Sequence, residues 1–105
     1  MDNKKNIHKY FKVGDIVRCE EIWGKQLFVV DRLTGNWYLP ELIVYFHNKP
    51  KTPGNMCNFS VCDTKLIKSN NRPFRKLKMT VLSKLLKKGN VDAIREIILR
   101  NRKDV

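Results

Sequence analysis

"FKVGDIVRCEEIWGKQLFVV", residues 11–30, decides the fold class. It reads as two β-strands joined by a small loop. Gly14-Asp15 makes a turn. After it, Ile16, Arg18 and Glu20 alternate with Val17, Cys19 and Glu21, the period of two expected of a half-buried strand. "KQLFVVDRL", 25–33, is denser in apolar residues, as a more deeply buried strand requires. A two-stranded unit of this size buries too little surface to be stable alone, so the flanking chain has to supply partners.

Toward the C-terminus, "TGN" at 34–36 carries residues suited to a hairpin turn. "WYLPELIVYF", 37–46, follows as a third strand. Pro40 cannot donate to a ladder, so this strand is expected to begin at an edge, a bulge or a bend there. "HNKPKTPGN", 47–55, is a loop in which Pro53-Gly54 suits a type II turn. "NFSVCD", 58–63, and "TKLIKS", 64–69, supply a fourth strand and a very short fifth. Short strands punctuated by turns favour a small barrel. "FKVGDIVRC", the glycine before "KQLFVV" and the closing "CDTKLIK" resemble the small SH3-like barrels of the KOW and Tudor-like kind, over residues 10–69. The resemblance implies a binding module, since barrels of this class serve nucleic acids and proteins alike.

Beyond "SNNRP" the period changes from two to that of a helix. "FRKLKMTVLSKLLKK", 74–88, places Leu77, Val81, Leu82, Leu85 and Leu86 on one stripe, with Pro73 at its start. Gly89 suits the left-handed position after a helix, and Lys87-Lys88 suit the negative end of its dipole. Asn90 is an N-cap for "VDAIREIILRNRK", whose stripe is Val91, Ile94, Ile97 and Ile98. The Gly-Asn link and facing stripes read as an antiparallel helical hairpin. A DNA-reading helix-turn-helix fits less well, because Lys84 and Lys88 would occupy its packing positions. The expected architecture is therefore α+β: a flexible tail at 1–10, a small SH3-like antiparallel β-barrel at 11–69, and a basic α-helical hairpin at 70–105.

The chain has 105 residues and a formal net charge of +12, which points to a polyanionic partner. Residues 72–105 hold eleven Lys and Arg against three acids, and the stretch 74–88 has no acid at all. A cationic face opposite an apolar one can lie along phosphates and release their counterions. The expected nucleic-acid contacts are Arg72, Arg75, Lys76, Lys84, Lys87 and Lys88, with Arg32 and Trp37 near the hairpin tip. Trp37 has two readings: a ring that stacks on bases, or a cap on the core under the long loop. Phe28, Tyr45 and Phe59 are assigned to the core. DNA or RNA, bound through its backbone, is the expected partner. The alternative is a protein-interaction module or small regulator that docks on an acidic protein partner, such as a nucleic-acid enzyme or a ribosomal assembly.

Other classes lose ground. No glycine-rich phosphate loop or nucleophile elbow occurs, and His8 and His47 lack a carboxylate-and-nucleophile setting, so no enzyme is expected. Cys19, Cys57 and Cys62 are odd in number and lack knuckle spacing, so neither a disulfide scaffold nor a zinc site or other cofactor is expected. Cys19 and Cys62 are read as small core residues and Cys57 as a loop residue. "MDNKKNIHKYFK" has no apolar signal-peptide region, and no apolar run approaches the roughly 20 residues that span a bilayer. A cytoplasmic protein with free thiols and no membrane partner is the expectation.

Overall fold

The computed structural model describes residues 10–36 and 38–101. Nine of the ten positions assigned to the N-terminal tail, Trp37, and the basic pair Arg102 and Lys103 lie outside the described residues. The chain runs β1 (Ile16–Arg18), α1 (Glu20–Trp23), β2 (Leu27–Gly35), β3 (Pro40–Phe46), β4 (Met56–Ser60), β5 (Lys65–Lys68), α2 (Met79–Lys87) and α3 (Val91–Arg100).

The strands form one antiparallel sheet in the order β4-β3-β2-β1-β5. The fold is α+β as expected, but the edge strands β4 and β5 do not pair with each other, so the sheet is not closed into a barrel. A short 3₁₀ turn, Val61–Asp63, connects them. The sheet nevertheless encloses one core. Val17, Phe28, Val30, Leu42, Val44, Phe59 and Leu66 come from all five strands and pack in a single cluster. Two irregularities bend the ladder: Asp31 is the extra residue of β2 between Val30 and Arg32, and Ile67 the extra residue of β5 opposite Ile16 and Val17. Such bulges increase local twist and kink a strand.

The β2–β3 hairpin turns at Gly35, whose φ is 81°. A Cβ there would sit 2.1 Å from the Leu39 carbonyl oxygen, so no other residue fits without moving the turn. Asn36 closes the loop through Oδ1, which accepts from the Leu39 N–H at 2.9 Å. Pro40 is the first residue of β3, opposite Gly35, the strand position where a missing N–H is tolerated.

Three local expectations are corrected. The first strand stops at Arg18 rather than reaching Glu21. Residues 20–23 make one helical turn instead, which lays Trp23 edge-on against Phe28 and Phe46, with centroids 5.5 and 5.2 Å apart. Cys62 is exposed because 61–63 is a 3₁₀ turn and not strand, whereas Cys57 lies on β4 and packs against the core. Tyr45 is only half-buried, with Lys51 Nζ over its ring at 5.6 Å.

The C-terminal helices are not a separate appendage. Leu99 of α3 belongs to the sheet's core, with Phe11 of the incoming chain. Between α2 and α3 the expected cap is present. Gly89 has φ 77°, its N–H donates to the Leu86 carbonyl at 2.9 Å, and the Asn90 N–H donates to the Leu85 carbonyl at 3.1 Å, the paired bonds of a Schellman end. Asn90 then accepts from the Ala93 N–H at 3.1 Å as N-cap of α3. The apolar stripes are used unevenly. On α2 only Leu82 is fully buried, while Met79, Val81 and Leu86 stay exposed.

Candidate nucleic-acid interface

The segment between β5 and α2 sets the site. Residues 74–78, expected to be helical, form a turn, and α2 starts only at Met79. This turn closes with the Leu77 N–H donating to the Phe74 carbonyl at 3.0 Å, and Arg100 of α3 fastens it: its Nη2 donates to the carbonyls of Leu77 at 2.6 Å, Arg75 at 3.1 Å and Phe74 at 3.3 Å. The same side chain donates from Nε to Glu96 at 2.8 Å.

Glu96 is almost wholly buried and is also gripped by Arg72, whose Nε and Nη2 reach its two oxygens at 3.0 and 2.5 Å. The Arg72 guanidinium, then Arg100, hold the Glu96 carboxyl below the ordinary glutamate range; in return the Glu96 carboxylate raises Arg72 further. Beside this triad lies a deeper pair. Arg95 and Asp15 are both buried and meet in a two-point contact at 2.7 and 3.0 Å. Arg95 also donates to the Tyr10 carbonyl at 2.8 Å and to Ser69 Oγ at 2.9 Å. Asp15 further accepts from the Lys12 N–H at 2.8 Å and from Ser69 Oγ at 2.6 Å. Lys12 Nζ reaches Asp92 at 2.8 Å. The turn at Gly14-Asp15, the linker at 69–77 and α3 are thus riveted together.

This separates the cations of the C-terminal third into two kinds. Arg72, Arg95 and Arg100 are structural, each spent on a buried carboxylate. Arg75, Lys76, Lys78, Lys84, Lys87 and Lys88 are all exposed, and none forms an ion pair among the described residues. At about 100° per residue, Lys87, Lys84 and Lys88 fan over the side of α2 opposite buried Leu82 and half-buried Leu85. The expected site residues Arg75, Lys76, Lys84, Lys87 and Lys88, and Lys78 beside them, all lie in the acid-free segment 74–88: Arg75, Lys76 and Lys78 before the first turn of α2, Lys84 and Lys87 on it and Lys88 at its C-cap. The signal for Lys78 was present in the sequence as a member of the acid-free run. Arg72 stands at the edge of the stretch with its charge engaged.

Arg32 belongs to the β2–β3 hairpin and is paired with Asp31 at 2.9 Å; Asp31 also holds Lys51, and the two cations depress its carboxyl, Lys51 the more strongly. Near the strand ends, Glu20 is similarly lowered, first by Lys65 and then by Arg18. Among the described residues no three of His, Cys, Asp and Glu converge as a metal site, and no helix is long and apolar enough to cross a membrane. No family model, curated protein or solved structure matches the chain.

The Glu96 triad predicts a pH dependence. A carboxyl with a depressed folded pKa stabilises fully above its unfolded value, about 4.3 for glutamate, and that stabilisation is lost as pH falls through the lower folded value. Glu96→Gln is expected to lower stability at pH 7 and to flatten the further loss on acidification below about pH 4. Urea midpoints measured from neutral to acid pH test this. A parallel displacement of the whole curve would contradict it.

Proposed function

We propose that this protein is a nucleic-acid-binding module, not an enzyme, that holds phosphates through the exposed stretch from Arg75 to Lys88. The observation that carries the reading is the contrast in charge use. Most cations elsewhere in the described chain meet a carboxylate, while this stretch offers six cations and no acid. Ordinary solvated helix faces mix signs at i, i+4 spacing; a phosphate-binding face does not need to. The curled five-stranded sheet would then be a half-open barrel of the SH3-like kind, serving as the platform to which α3 ties the basic stretch. Three unpaired thiols suit the reducing cytoplasm.

Replacing Lys84, Lys87 and Lys88 together by Gln should leave Leu82 and the fold intact. It should weaken binding to all sequences alike. It should also flatten the plot of log affinity against log salt by about 0.7–0.9 for each phosphate that is no longer neutralised. Titrations of duplex DNA, single-stranded DNA and structured RNA at several salt concentrations measure this. A triple variant that melts normally and binds every nucleic acid as well as the parent would refute the surface.

The second reading, docking on an acidic protein partner, draws on Met79, Val81 and Leu86, which are 48, 40 and 41 % exposed on the same helix. It calls for one saturable protein partner.

A further inference from the structure

Resting on that reading, we propose that the Arg75–Lys88 surface docks on the outside of a double helix and does not track a single strand. Three features of the surface point this way.

The first is shape. Proteins that hold single strands do so in cationic grooves, whereas Lys84, Lys87 and Lys88 stand on the convex outer side of a helix. Two grooves among the described residues lie elsewhere, and neither is built from this stretch. One, of about 510 Å³, lies between Gly14 and Ser69–Pro73, and its one cation, Arg72, is engaged by Glu96. The other, of about 220 Å³, lies between Phe11, Leu66 and Ile98, and its one cation, Lys65, is engaged by Glu20.

The second is the lack of rings. Single-strand binders stack bases on aromatic side chains, yet residues 75–88 contain no aromatic residue. Trp23 of α1 packs edge-on against Phe28 and Phe46, and the exposed ring of Tyr38, at 64 %, belongs to the β2–β3 loop and not to this stretch.

The third is the donor set. Beyond Arg75 at its start, the surface offers Thr80, Ser83 and lysines on the outer side of α2, without Asn, Gln or a second Arg to grip a base edge at two points. Lysines fanned over about 100° of a helix suit the paired phosphate ridges beside a groove, contacted without regard to sequence.

The test uses the full chain with duplex DNA, duplex RNA and a single strand of the same length and base composition, titrated by fluorescence anisotropy across a salt series. The expected result is a duplex bound at least about tenfold more tightly than the single strand at equal salt, with a slope steepening by about 0.9 per phosphate neutralised and no dependence on sequence. Which duplex binds identifies the nucleic acid. Single strand bound as tightly as duplex, with the affinity abolished in Trp37→Ala or Tyr38→Ala, would overturn the double-helix proposal and leave the nucleic-acid reading standing. No binding to any of the three would overturn both.

Discussion

Asp15→Ala should destabilise the protein by about 3–5 kcal/mol, because it strands the Arg95 guanidinium in a site where it is 1 % exposed. Arg95→Ala should cost a similar amount by orphaning the Asp15 carboxylate. Against a total stability of about 5–15 kcal/mol for a domain, either loss would lower the melting temperature by roughly 10–30 °C. The double variant Asp15→Ala with Arg95→Ala should be far milder than the sum of the singles, since a removed pair leaves no unpaired buried charge. Urea denaturation of the four proteins gives the coupling energy. Single variants that each lose under about 1 kcal/mol would mean that the pair is solvated like a surface salt bridge.

Leu82→Ala is the second large effect. Its side chain is fully buried, at 0 % exposure, and it is the one α2 residue that is. Truncation should cost about 2–5 kcal/mol, whereas Leu85→Ala, at a half-buried position, should cost less. The loss also bears on function. α2 carries Lys84 and Lys87, with Lys88 as its C-cap, so a loosened Leu82 should raise amide exchange selectively in α2 while the sheet's amides stay protected. Uniform loss of protection across sheet and helix would instead show that α2 and the sheet unfold as one unit.

Gly89 and Asn90 show how much of the helical part was legible. Their roles rest on local rules, a left-handed residue after one helix and a side-chain acceptor before the next, and both are present in the fold. The start of α2 was not legible. "PFRKL" looks helical by composition, but it forms a turn whose Phe74, Arg75 and Leu77 carbonyls are bound by Arg100, some 25 residues away. Cys62 departs from its pattern for a related reason. Strand alternation in "NFSVCD" continues on paper, but Ser60 Oγ accepts from the Cys62 N–H at 3.3 Å and the chain turns.

The candidate site divides along the same line. The charge run of 74–88 and its lack of acids are properties of sequence, as are the strand periods that make the chain α+β. Which cations remain available is decided by the tertiary structure. Arg72 and Lys84 look alike in a one-dimensional count, yet Arg72 faces Glu96 and Lys84 faces solvent. Asp15 and Arg95 are 80 positions apart, beyond the reach of any spacing rule, and only the packing of α3 against the β1 turn brings them together. The same helix shares Leu99 with the core of the sheet, which stays open between β4 and β5. Local propensity sets elements and caps because it acts within a few residues. Burial sets pairing, because an ion taken out of water must find its counterpart wherever in the chain that lies.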